Sequence, residues 1–263
     1  MPENFRNKVV LITGASSGIG ASLARRFARE GSKVVLVARR AERLAELADE
    51  LRLLTKSVFA VRADLGELQA VPHILHETHQ QAGPIDMLVN NAGIGEYGKF
   101  SVQGIDALTA MIQLNIGALV RLTHAVLPEM IERRSGAILN VASTAAFQPT
   151  PYMAVYGATK SFVLSLSMSL WRELADTGVS VTCLCPGPVR TEFFDRGGYE
   201  SRRVDYLKHA AEPDWVADQA FRALSNRRPL IVAGLVNRLG AFLTRFAPVK
   251  TVTRVSERLL GPR

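Results

Sequence analysis

The sequence predicts an α/β fold in which one doubly wound parallel β-sheet carries helices on both faces. Three observations lead there. Short β-branched runs such as KVVLIT (8–13) and KVVLVA (33–38) suit strands buried on both sides. Between such runs lie segments with helical apolar spacing: ASLARRFARE (21–30), with Leu23 and Phe27 on one side, and AERLAELADELRLL (41–54). The two types alternate, which closes into a parallel sheet with right-handed crossovers.

Taken in order, the first strand leads into a helix ended by Gly31, then the strand at 33–38 and the helix at 41–54. SVFAVRADL (57–65) is a third strand, a His-containing helix follows, and IDMLVNNAG (85–93) is a fourth. One long helix is expected over about 104–132, a strand at GAILNVAS (136–143), and a helix over 153–176. VSVTCLCPG (179–187) is the sixth strand, and AEPDWVADQAFRAL (211–224) a helix opened by Pro213 and Asp214.

The 263 residues, 48% of them apolar, are enough for one large core. No linker, repeat or low-complexity tract divides them, so residues 1–263 are expected to form a single domain. The start shows no apolar signal-peptide core, and no run approaches the roughly 18 apolar residues of a membrane span. Cys183 and Cys185 fit reduced core residues, and the expected location is cytoplasmic. Of the net charge of +8, the segment Arg227–Arg263 carries +7, from eight basic residues and one acid. The remainder is close to neutral, so the charge does not argue for nucleic acid as a partner.

In parallel sheets of this kind ligands lie beyond the carboxyl ends of the strands. The first strand ends in TGASSGIG (13–20), where Gly14, Gly18 and Gly20 surround Ser16, Ser17 and Ile19. Such a turn lets backbone N–H groups approach a pyrophosphate at the start of the next helix. The spacing is G-x-x-x-G-x-G rather than G-x-G-x-x-G, but its place between strand and helix marks a Rossmann-type cofactor turn. After the second strand, Ala38 stands where an NAD site would place an acid, followed by Arg39 and Arg40. Two guanidinium groups suit a 2′-phosphate, with Ser16 as a further donor, so NADP(H) is favoured over NAD. Asp64, next to Leu65, could accept from the adenine amino group or equally cap the next helix. Asn91, Ala92 and Gly93 would lie against adenosine, while Asn90 ties neighbouring strands. Ser143 ends the fifth strand, thirteen residues before Tyr156, and Lys160 follows Tyr156 by one helical turn.

TGASSGIG, NNAG (90–93), Asn115, Ser143, YGATK (156–160) and PGPVRT (186–191), in this order over about residues 6–190, resemble the short-chain dehydrogenase/reductase family. The resemblance implies an NADP(H)-dependent oxidoreductase that reduces a ketone or aldehyde. In it Tyr156 is the acid/base and Ser143 donates to the carbonyl oxygen. Lys160 favours the phenolate and holds the nicotinamide ribose, and Asn115 distorts its helix and holds a water touching Lys160. Lowering a phenol by about three pKa units takes roughly 4 kcal/mol, within reach of a partly desolvated ammonium. The resemblance also implies that Pro186 and Gly187 border the cofactor, that the Val189 backbone and Thr191 bind the nicotinamide carboxamide, and that long helices pair in a homodimer or homotetramer. An idle cofactor-binding sensor or scaffold is the alternative of another class, which the intact Ser, Tyr, Lys and Asn oppose.

His73, His76 and His79 share a helix face, but no Cys or acid completes a metal shell; the chemistry calls for no metal. Gly197 and Gly198 could hinge a lid over 193–211, whose Phe193, Phe194, Tyr199 and Tyr206 would cover an apolar substrate. The tail lacks the Gly-rich ending of bacterial acyl-carrier-protein reductases, which makes a lipophilic ketone or aldehyde the first expectation and a 3-oxoacyl thioester the second. Over 234–263 two basic amphipathic helices are expected. Leu235, Val236, Leu239, Phe242, Leu243 and Phe246 line one, and Lys250, Arg254 and Arg258 stripe the other. They could pack on the substrate mouth or a partner subunit, or make peripheral contact with an anionic membrane.

Overall fold

The computed structural model of the chain describes residues 4–195, 197–199, 208 and 210–261. Its centre is a seven-stranded parallel sheet in the order β3-β2-β1-β4-β5-β6-β7. The strands are β1 (Val9–Thr13), β2 (Lys33–Ala38), β3 (Val58–Arg62), β4 (Met87–Asn90), β5 (Gly136–Val141), β6 (Val179–Cys185) and β7 (Leu230–Val232). Strand order reverses between β1 and β4, where Ile12 pairs with Val89, and the cleft opens at the carboxyl ends of these two strands.

Helices α1 (Gly18–Arg29) and α2 (Ala41–Arg52) cover one face, together with α7 (Pro213–Ser225). Phe5, Phe27 and Phe221 meet there with ring centroids 5.3–5.5 Å apart. Fully burying one such ring stabilises the fold by about 1.5–3 kcal/mol. The other face carries α3 (Ala70–Gln81), α5 (Leu119–Glu132) and α6 (Ala154–Glu173). The three histidines of α3 are exposed, and His79 Nε2 lies 3.2 Å from Glu129.

Two expectations need correction. The stretch over 104–132 is not one α-helix: α4 (Ile105–Ile112) passes into a π-helical segment, Gln113–Ala118, before α5 begins. The whole stretch is long and apolar enough to cross a membrane, yet Leu119, Leu122, Val126 and Met130 of α5 are buried in the core. The second correction is β7. Its three residues, in RRPLIVAG, are too few to show an alternating pattern, and it forms because β6 offers an edge. The tail forms α8 (Leu235–Leu243) and α9 (Val249–Leu260).

Candidate active site

The glycine turn is shaped by close approach. Gly14 has φ +63°, and a side chain on Gly20 would stand 2.4 Å from the Gly14 carbonyl oxygen. Asn91 fastens this turn to the end of β4: its Nδ2 donates to the carbonyls of Thr13 (2.9 Å) and Gly14 (3.2 Å). The N–H groups of Asn91 and Ala92 donate to Thr13 Oγ1. Ser17 precedes α1 without capping it, so the positive end of the helix faces the cleft.

From there a cleft of about 770 Å³ runs in two directions. Towards β2 and β3 it is bounded by Ala38, Arg39, Arg40, Asp64 and Leu65. The two arginines are not equivalent. Arg40 Nη2 donates to Ser16 Oγ and Ser17 Oγ, both at 3.0 Å, and Nη1 to Glu192 Oε2 at 2.7 Å. Arg39 is more exposed and lies 3.6 Å from Asp64. Asp64 caps no helix; its carboxylate accepts from Gly66 N at 2.9 Å, and α3 starts only at Ala70.

In the other direction the cleft reaches Ser143, Tyr156 and Lys160. Ser143 follows β5, whereas Tyr156 and Lys160 sit one turn apart near the start of α6, and both of the latter are buried. Burial pushes Tyr156 up to about 12, and a hydrogen bond with Ser143 pulls it the other way. Burial likewise takes Lys160 down to about 8, against the pull of Cys183 and Cys185. The expected lowering of Tyr156 by Lys160 is therefore absent from the protein alone. The ammonium donates to the Val141 carbonyl at 2.9 Å and stands 5.7 Å from the Tyr156 ring centroid, so desolvation dominates.

Asn115 lies in the π-helical segment, buried behind the cleft rather than lining it. Its side chain holds the Ile94 backbone, accepting from N–H at 3.0 Å and donating to C=O at 2.9 Å, and also donates to Thr159. A side chain on Gly93 would touch both Asn115 Oδ1 and Lys160 Nζ, so the two groups meet over that glycine. Its side-chain amide is thereby committed to Ile94 and Thr159.

Pro186, Gly187, Val189 and Thr191 border the cleft after β6, and the base of the loop that follows is pinned by a bridge from Val189 to Ala211. Gly18 and Gly187 are needed for clearance, against Thr191 and Asn237 respectively. Gly20 is the one expected cofactor residue outside the lining, packed behind it. Ser16, Ser17, Ile19 and Gly93 lie along the wall.

This end of the cleft is aromatic. Phe193 packs on Tyr156 with centroids 5.4 Å apart, and Phe194 and Tyr199 pack on Phe193. Gly197 and Gly198, the expected hinge, have φ of +72° and +77° and lie against Gly95 and Tyr97, with Tyr97 N–H donating to the Gly197 carbonyl. Tyr206 lies outside the described residues. Sequence reasoning missed Glu192, Tyr97 and Leu260. Tyr97 Oη donates to the Leu260 carbonyl at 2.7 Å, which brings the end of α9 to the pocket wall. No motif marks these residues, because they are brought in from distant parts of the chain.

The sequence profile of the family described as short chain dehydrogenase matches residues 8–198. Sulfoacetaldehyde reductase 2 of Chromohalobacter salexigens is 43% identical over 216 residues, 81% of this chain and 85% of the relative. A short-chain dehydrogenase from Sphingobium yanoikuyae, solved with NADPH, is 38% identical with a TM-score of 0.82, covering 91% of this chain and 93% of that one. The bulky-bulky ketone specific alcohol dehydrogenase from Comamonas testosteroni is 32% identical with a TM-score of 0.77, again covering 91% and 93%. The chain thus belongs to the short-chain dehydrogenase/reductase family and is an oxidoreductase acting on carbonyl and alcohol groups.

Proposed function

We propose that the chain is an NADPH-dependent reductase of lipophilic ketones or aldehydes. The observation that carries this reading is the distribution of charge and apolar surface along one cleft. Arg39 and Arg40 stand at one end, and Tyr156, Ser143 and Lys160 at the junction. Beyond them lies a chamber with Phe193, Phe194, Met153 and Leu260. The residues present fit a nicotinamide dinucleotide: glycines that admit backbone approach, an uncapped helix start, and guanidinium groups where a 2′-phosphate would fall.

NADPH, when bound, supplies the hydride to the carbonyl carbon. The chain's own groups manage the oxygen. Ser143 Oγ and Tyr156 Oη donate to it and orient the substrate, and as charge develops the Tyr156 proton passes to the oxygen to complete the alcohol. Burial keeps Tyr156 protonated in the empty site, the state in which it serves as an acid. Lys160 holds positive charge beside the phenolate left behind. Asn115 fixes the loop at Ile94, which walls the chamber.

A small anionic substrate is less well matched. Among the described lining residues the cations are Arg39 and Arg40, at the far end of the cleft, and Lys160, buried at the junction. The test is NADPH oxidation over a panel of bulky ketones, apolar aldehydes, sulfoacetaldehyde and 3-oxoacyl thioesters, with NADH in parallel. Turnover of bulky apolar carbonyls with NADPH supports the reading. Preference for sulfoacetaldehyde, or for thioesters on a carrier protein, contradicts the substrate class. Tight NADPH binding with no turnover favours a sensor.

A further inference from the structure

We propose that α8 and α9 form a docking surface for an anionic lipid bilayer. The evidence is an inverted helix. In a surface helix the large apolar side chains normally face the core and the polar ones face water. In α8 the face towards the protein is made of Asn237, Ala241 and Thr244, at i, i+4 and i+7. The opposite face carries Leu235, Val236, Leu239, Phe242 and Leu243, continued by Phe246 and Val249. These side chains are 54–85% exposed. The inward face cannot rotate outward without loss, because Asn237 is wedged against Gly187 and donates to the Ala233 carbonyl at 2.7 Å. Five large apolar side chains on one helix face, extended by Phe246 in contact with Phe242 at 4.9 Å and followed by exposed Val249, are more than scattered surface hydrophobes.

Charge selects the occupant. Arg238 and Arg245, seven residues apart, flank the apolar face on one side, and Lys250, Arg254 and Arg258 are exposed on α9. The segment from Arg227 onwards carries eight basic residues and one acid, while the preceding part of the chain is nearly neutral. A second copy docking through the same face would bring two strongly basic segments together. A layer of anionic headgroups over acyl chains matches both parts of the surface, with cations at headgroup level and Leu and Phe beneath them. The proposal concerns the outer side of the tail and is independent of what the chamber reduces.

The test is sedimentation of the full chain with vesicles of equimolar phosphatidylcholine and phosphatidylglycerol, compared with pure phosphatidylcholine. Two double variants, Leu239→Glu with Phe242→Glu and Arg238→Glu with Arg245→Glu, are run beside it. Unchanged Tm and NADPH turnover confirm that they are folded. The expected result is binding to the anionic vesicles that high salt reverses, reduced roughly tenfold or more on phosphatidylcholine and in both variants. Failure of the native chain to bind anionic vesicles overturns the proposal, as does equal binding to both lipids. So does a result in which the Leu239/Phe242 variant leaves vesicle binding intact but lowers the oligomeric size, which would assign the face to a second copy.

Discussion

On the proposed reading, Lys160 sets how the site responds to pH. Its value in the folded protein, about 8, is below the ordinary lysine value of 10.5, so the ammonium is present below pH 8 and lost above it. Tyr156, raised to about 12, stays protonated across that range. The kcat/KM for NADPH, which reports the enzyme before the cofactor binds, is therefore expected to be flat through neutrality and to fall above about pH 8. Replacing Lys160 by Met should lower the plateau and abolish the fall. A second residue-scale expectation concerns Arg40, whose bonds to Ser16, Ser17 and Glu192 place it where a phosphate would compete with a carboxylate. Arg40→Ala should raise KM for NADPH about 10- to 100-fold, the value of charge-assisted hydrogen bonds, and leave KM for NADH nearly unchanged. Glu192→Gln removes the competing charge and should lower KM for NADPH several-fold. Steady-state kinetics with both cofactors check each change.

At the scale of elements, an amide ladder ties the sheet to its helices. Asn90 Nδ2 donates to Thr123 Oγ1 and to Asn140 Oδ1, and Asn140 Nδ2 donates to Ser167 Oγ, all buried. Asn140→Leu leaves polar partners in β4 and α6 without it, at a cost of about 1–3 kcal/mol. For a chain of this size that predicts a fall in Tm of several degrees, measurable by calorimetry. How much of this was legible follows from the same elements. Six strands and their helices could be read from β-branched runs and helical spacing, and Asn90 as a tie between strands from its place at a strand end. The π-helical segment could not, since Gln113–Ala118 keeps the same apolar composition in either helical form. For α8 the apolar periodicity was visible but not its direction, because packing of Asn237 against Gly187 decides which face turns inward. Glu192 and Leu260 acquire meaning only when chain segments more than a hundred residues apart meet at Arg40 and Tyr97.

For the molecule as a whole, the fold separates tasks along the sheet. The β2–β3 side holds the arginines, the switch between β1 and β4 the glycine turn, and the β5–β6 side the tyrosine and the aromatic chamber. Away from the cleft, Ile112, Val120 and Ile131 along α4–α5, and Phe162 and Trp171 on α6, leave large apolar groups exposed. A homodimer or homotetramer built through these helices would cover them, and Phe162→Glu with Trp171→Glu is expected to reduce the mass measured by light scattering to that of a single chain. The claim that joins the parts is that Tyr156 protonates a substrate reduced by NADPH. Its most direct test compares kcat/KM for the best bulky ketone between the native chain and Tyr156→Phe, with NADPH affinity measured separately by fluorescence. The account predicts a loss of about 10²–10⁴-fold in turnover with NADPH binding retained. A Tyr156→Phe protein that reduces the ketone at nearly the native rate would contradict it.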